Sequence, residues 1–183
     1  IVGCSGGPDS MCLLNLLYQN EYKVICAHVN HNLRKDSAKE FKFLKKYCNG
    51  KNIIFEGLEL DKENNKSEAY YRKKRYDFYK NLADKYDTKY IMTAHHCDDL
   101  IETILMRITR GSNLKGYLGF SKIYDEKGYK FIKPLIFYTK DQLLEYNEIH
   151  SIPFVNDYTN DEDIYTRNRY RHHILPFLKS ENR

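Results

Sequence analysis

The apolar run Ile1-Val2-Gly3-Cys4 passes directly into Ser5-Gly6-Gly7-Pro8-Asp9-Ser10 and then into Met11-Cys12-Leu13-Leu14. That succession reads as a strand, a glycine turn and a helix. Two adjacent glycines let backbone N–H groups turn toward one point without obstruction by Cβ atoms. The opening turn of the helix adds N–H groups that have no intrahelical acceptor, and a positive dipole end. Phosphate is the natural occupant of such a loop. Ser5 and Ser10 can add hydroxyl donors, and Asp9 is suited to a magnesium ion bridging phosphate oxygens. The common phosphate loop ends in Gly-Lys-Ser/Thr, and no lysine follows these glycines.

Further strand-like runs alternate with helical patterns. Residues 23–29, 52–60 and 89–94 are β-branched or apolar, and residues 37–49, 67–86 and 98–109 carry helical spacing. The alternation predicts an α/β fold: a doubly wound, mainly parallel sheet with helices on both faces. Ligands in such sheets sit at the carboxyl ends of the strands. Three polar segments fall there: Ser5–Ser10, His28–Arg34 and His95–Glu102. From Gly111 onward glycines mark loops, with a short hairpin reaching Phe131-Ile132. A helix over 139–150 is expected with Thr139 as its N-cap, then a polar loop over 156–163 and a closing helix over 165–178. With no internal repeat and no low-complexity linker, residues 1–183 read as one domain.

The chain carries a formal net charge of +5 over 183 residues, which permits a nucleic-acid partner without requiring one. No apolar stretch approaches the roughly 18–20 residues of a membrane span, so no membrane partner is expected. The five cysteines are odd in number and form no C-x-x-C pair, so a disulfide framework is not indicated and a cytoplasmic location is the default. Cys4, Cys12 and Cys26 stand in apolar contexts and read as buried small hydrophobes. The chain begins inside its first strand without an initiator Met, so native residues are expected to precede it.

Four further segments bear on chemistry. In His28-Val29-Asn30-His31-Asn32-Leu33-Arg34, His and Asn can bond a base or ribose and Arg34 a phosphate, or the segment is merely a polar loop. In the helix from Glu68, Arg72, Arg75 and Tyr76 are neighbours at helical spacing, either a solvated basic face or a clamp on phosphate. In Thr93–Thr103, His95, Asp99 and Glu102 fall on one stripe that suits an ammonium group. A zinc site from His95, Cys97 and Asp99 is the alternative, and Asp98 and Asp99 by themselves would only complement a helix dipole. In the last segment Arg167, Arg169, Arg171, His172 and His173 concentrate positive charge suited to phosphates.

SGGPDS resembles the PP-loop of the N-type ATP pyrophosphatases, which cleave ATP to AMP and pyrophosphate while adenylating an acceptor. HVNHNLR, the E-x-x-x-R-x-x-R-Y helix, TAHHCDD-x-x-ET, Arg110–Ser112, Lys133–Leu135 and the string from Asp157 to Arg171 follow in order. Together they resemble the tRNA(Ile)-lysidine synthetase family over nearly the whole chain, and on that resemblance the chain is expected to be the catalytic domain without the family's C-terminal tRNA-gripping domains. The resemblance implies an adenine nucleotide alpha hydrolase-like fold and an AMP-forming ligase. Such an enzyme adenylates the wobble cytidine of CAU-anticodon tRNA(Ile) and joins free L-lysine to C2, changing decoding from AUG to AUA.

On that resemblance Ser5, Gly6, Gly7, Pro8, Asp9 and Ser10 bind ATP, with Mg2+ at Asp9, and Ala27 and His28 border adenine. His95, Asp99 and Glu102 receive lysine. Arg72 acts with Asp9, His95, Asp99 and Glu102 in catalysis, while Arg34, Arg75, Arg167 and Arg171 meet tRNA or phosphate. A homodimer is compatible with it. Tyr71 departs from the family, which often has Ala before the arginine matched by Arg72. Two competing readings remain open: another PP-loop enzyme, such as a tRNA thiolase or amide-forming ligase, and a nucleotide-binding module without catalysis. Thiolases of the cluster-bearing kind carry C-x-x-C pairs, and thiouridine enzymes need paired catalytic cysteines where only Cys97 lies near a candidate site.

Overall fold

The computed structural model describes residues 1–32, 37–60, 67–156, 163 and 165–181. Four strand–helix units come first: β1 (Val2–Gly3) and α1 (Pro8–Gln19), β2 (Ile25–Asn30) and α2 (Ser37–Gly50), β3 (Ile54–Glu59) and α3 (Glu68–Lys85), β4 (Tyr90–Thr93) and α4 (Cys97–Thr109). A short helix α5 (Leu114–Tyr117), a hairpin of β5 (Ile123–Glu126) and β6 (Tyr129–Ile132), and α6 (Lys140–Ile149) follow. The chain closes through α7 (Thr166–Arg169), a π-helical turn Tyr170–Ile174 and α8 (Leu175–Glu181).

Among the described residues the strands form one sheet in the order β3-β2-β1-β4-β6-β5. All pairs are parallel except β5 with β6. The hairpin expected near Phe131 is therefore there, and its second strand enters the main sheet beside β4 rather than standing apart. The order reverses direction at β1, which places the carboxyl ends of β1, β2 and β4 around one crevice.

Alternation along the strands divides the core. Ile1, Ile25, Ala27, Val29, Ile91 and Phe131 face α3, where they pack with Tyr79, Leu82 and Ala83. Cys4 and Cys26 face the other side, where α1 and α2 supply Met11, Leu14, Leu44 and Cys48. Val2 joins Cys12, Leu13, Leu135 and Leu143 beneath α1 and α6. Cys4, Cys12, Cys26 and Cys48 are thus buried packing residues, in free thiol form. Gly3 shows why a side chain is missing there: an added Cβ would lie 2.6 Å from the Tyr79 hydroxyl. Thr139 caps α6 as expected, its hydroxyl accepting from Gln142 N at 3.3 Å while Gln142 Oε1 accepts from Thr139 N at 2.9 Å. None of the helices among the described residues is long and apolar enough to cross a membrane.

Candidate active site

The Ser5–Ser10 loop joins β1 to α1, with Gly7 as the N-cap residue and Pro8 at the helix start. Gly6 has φ +91°, a conformation that L side chains avoid, while an added Cβ would meet Leu44 at 3.7 Å and Phe43 at 3.9 Å, both ordinary contacts. Conformation, not space, requires glycine here. Ser10 Oγ organises the turn: it accepts from Ser5 N and Gly6 N, each at 3.2 Å, and donates to Gly7 O at 3.0 Å. Distant segments brace the loop, since Asn147 Nδ2 donates to Pro8 O and Val155 N to Gly6 O, both at 2.9 Å.

Beside this loop lies a cavity of about 390 Å³ at the carboxyl ends of β1, β2 and β4. It is lined by Ser5, Asp9 and Ser10 of the loop, by His28 and Asn30 of β2, by Arg72, Arg75 and Arg167, and by His95 and Asp99. His28 is buried, with Nδ1 2.8 Å from Cys4 O, so that the neutral ring presents Nε2 as an acceptor. Among the described residues Nε2 is buried without a hydrogen-bond partner, and burial holds the ring's pKa below its ordinary value. Arg72 lies over the Tyr76 ring, with its guanidinium carbon 4.7 Å from the centroid. The Tyr71 ring stands edge-on to His31 at 5.1 Å, so the departure noted at Tyr71 packs the β2 loop. His95 Nδ1 is 2.9 Å from Thr93 Oγ1, and burial first lowers its pKa to about 4, with the opposing pull of Asp99 outweighed.

The expected sites divide in the structure. His95 and Asp99 line the cavity, but Glu102 does not: it is fully buried and held in a forked pair by Arg171, Nε to Oε1 at 2.7 Å and Nη2 to Oε2 at 3.1 Å. Arg167 stands 3.6 Å from the same carboxylate through Nε. Burial pushes the Glu102 carboxyl up, against the pull of Arg171. Glu102 and Arg171 therefore join α4 to the C-terminal helical segment, and neither is a free group for lysine or phosphate in this arrangement. Ala27 is wholly buried in the core beneath α3 and is not on the cavity wall. Gly7 and Pro8 face a second cavity, of about 1010 Å³, which also touches Asp9, Arg75, Asp99 and Arg171. Arg34 lies outside the described residues.

Sequence spacing gave no sign of three groups that the fold brings in. Lys140, at the start of α6, donates to Asp9 Oδ1 at 2.6 Å across 131 residues. His96 is buried between two carboxylates, its Nε2 3.7 Å from Asp9 Oδ2 and 3.5 Å from Asp99 Oδ2. Lys133 is buried, with its ammonium 4.5 Å from the Tyr124 ring centroid and 3.1 Å from Ser121 O. Only tertiary folding relates these positions to the loop.

Among the described residues no group of three or more His, Cys, Asp or Glu side chains is assembled for a metal. A zinc cage at His95, Cys97 and Asp99 is thus not formed, and burial, followed by Asp98, pushes the Cys97 thiol up, away from thiolate chemistry. Magnesium asks for less, since it keeps waters and uses one or two carboxylates with substrate phosphates. A partly exposed Asp9 carboxylate at the phosphate loop fits that demand.

Residues 1–178 match the family described as the PP-loop domain. The chain belongs to the PP-loop domain family. Among curated relatives it is 39% identical to a tRNA(Ile)-lysidine synthase of Bacillus licheniformis over 193 residues, and 40% identical to one of Clostridium tetani over 190. These alignments take in 100% and 98% of this chain, yet the chain spans about 40% of the length of either relative. Among solved structures, the U34-tRNA thiolase NcsA of Methanococcus maripaludis superposes with a TM-score of 0.78 at 18% identity, covering 99% of this chain and 65% of that one. NH3-dependent NAD synthetase of Campylobacter jejuni gives 0.56 at 12%, covering 96% and 76%. Both likenesses concern the fold. The PP-loop domain assignment accords with Ser5–Ser10 standing at a strand–helix junction on the switch crevice and supports ATP as the nucleotide used.

Proposed function

We propose that this PP-loop domain catalyses lysidine formation on a CAU-anticodon tRNA(Ile), using ATP and free L-lysine. The reading is carried by one arrangement: Ser5, Asp9 and Ser10 of the phosphate loop, the pair Asp99 and His95 suited to an amine, and Arg72, Arg75 and Arg167 all line one cavity. The curated relatives named tRNA(Ile)-lysidine synthase, matched along this whole chain, support it.

In the proposed reaction O2 of the cytosine attacks the α-phosphorus of ATP, the bond to the bridging oxygen breaks, and pyrophosphate leaves. The Ser5–Ser10 loop and the arginines stabilise the charge that grows on the leaving group. Asp9 would hold magnesium, which would supply further charge neutralisation on the phosphates. Lysine's amine then attacks C2, one proton leaves the nitrogen, the C2–O bond breaks and AMP departs.

In this reading Asp99, which lines the cavity, holds the ammonium and receives that proton. His95, with a pKa near 4, is neutral at physiological pH and is a weak proton acceptor, so it orients the amine from Thr93's side of the cavity. The test is AMP release from ATP, with tRNA(Ile) and lysine each omitted in turn. The reading requires that release depend on the tRNA, and that lysine alone complete turnover. Release that ignores the tRNA would make the protein a nucleotide hydrolase or a ligase for another acceptor.

A further inference from the structure

The phosphate loop of this chain has no lysine of its own, yet the fold delivers one to it. Lys140 opens α6, and α6 packs on α1, with Asn147 donating to Pro8 O at 2.9 Å. The capping pair of Thr139 and Gln142 fixes the start of α6. The root of the Lys140 side chain is therefore held against the loop, while its ammonium stands 2.6 Å from Asp9 Oδ1 and remains partly exposed. The same large cavity is walled by Gly7, Pro8, Arg75 and Lys140.

Two other cations on that wall are differently placed. Arg171 is committed to the buried Glu102, and Lys179 to the buried Asp98 at 2.8 Å and to Asp141 at 2.9 Å. Lys140, in contrast, is paired among the described residues with Asp9, the carboxylate suited to magnesium. A divalent ion held by that carboxylate would compete with the ammonium for it and leave Lys140 available to phosphate.

We propose that Lys140 is a pyrophosphate-binding residue, supplied from α6 in place of the lysine that the loop lacks, and parked on Asp9 in the absence of nucleotide. This goes beyond the lysine-transfer reading and depends only on ATP use. A flexible lysine suits the task, because its point charge follows the phosphates from the bound triphosphate to the departing pyrophosphate. Exchange of partners also avoids leaving the ammonium uncompensated in either state.

The test needs neither tRNA nor lysine. Inorganic pyrophosphate with magnesium chloride is titrated calorimetrically into wild-type protein, Lys140→Met, Lys140→Arg and the hairpin control Lys130→Met, with circular dichroism reporting the fold of each. Loss of one charge-assisted contact predicts a dissociation constant raised ~10- to 100-fold in Lys140→Met. Recovery of most of that loss by Lys140→Arg, and no change in Lys130→Met, are expected. Magnesium alone should bind Lys140→Met at least as tightly as wild type, because its competitor for Asp9 is gone. Pyrophosphate affinity in Lys140→Met within twofold of wild type overturns the proposal, even if its melting temperature falls. So does wild-type protein that fails to bind pyrophosphate. Should Lys140→Met not fold, Lys140→Gln carries the same comparison.

Discussion

Glu102→Ala is the substitution whose cost the structure specifies best. The carboxylate is fully buried, and it accepts two charge-assisted bonds from Arg171 at 2.7 and 3.1 Å, with Arg167 a further 3.6 Å contact. Breaking a buried ion pair from one side costs ~3–5 kcal/mol because a charge is left uncompensated. Arg171 retains 32% side-chain exposure and a second carboxylate, Asp99 Oδ1 at 3.5 Å, so its guanidinium is not left wholly uncompensated, which sets the expectation at ~3 kcal/mol, the lower end of that range. For a protein of this size each kcal/mol moves the melting temperature by roughly 2–4 °C, so a fall of about 6–12 °C is expected.

The assay is thermal and urea unfolding of Glu102→Ala, Arg171→Met and the double variant. The double variant should be more stable than the sum of the single losses, because the abandoned charge is removed with its partner. Purely additive losses, or a Glu102→Ala melting temperature within 2 °C or so of wild type, would refute the strut. Glu102 would then return to the amine site that its helical spacing with His95 and Asp99 suggested.

The other expectations concern the loop and the histidine. Gly6→Ala places a Cβ at φ +91° and should cost ~1–3 kcal/mol in urea unfolding; an unchanged midpoint would show that the turn adapts. Between pH 6.5 and about 4 the unfolded chain binds a proton at His95 that the folded chain refuses. Stability should therefore fall by up to ~3 kcal/mol as pH drops through that window, and His95→Asn should flatten the slope. An equal slope in the variant would show that His95 titrates normally. Asp9→Ala should leave the circular dichroism spectrum unchanged while abolishing AMP formation, and full activity would remove Asp9 from any magnesium role.

The fold was legible where local physics decides it. Apolar runs at Ile25–Asn30 and Ile54–Glu59 alternate with helical spacing, and that alternation leaves a parallel sheet as the economical solution. The phosphate loop was legible because glycine is demanded by conformation at Gly6. Asp99 and His95 were legible as cavity residues for a similar reason, standing at the start of the helix that follows a strand. The burial of Glu102 was not legible, because helical periodicity gives its stripe but not what covers it. Arg171, 69 residues away, arrives only through the C-terminal helical segment. Lys140 carries no local pattern distinguishing it from a solvated lysine, and Lys133 and His96, though inside segments that carry the resemblance, have no spacing that assigns them a role; sheet order and helix docking bring all three to the cavities.

The central claim is tested most directly by incubating the protein, in excess over RNA, with ATP, magnesium and radiolabelled lysine. A CAU-anticodon tRNA(Ile) transcript is compared with elongator methionine tRNA. The account predicts label in the isoleucine tRNA alone, with one AMP released per lysine joined. AMP release without label, or label in both tRNAs, would contradict it.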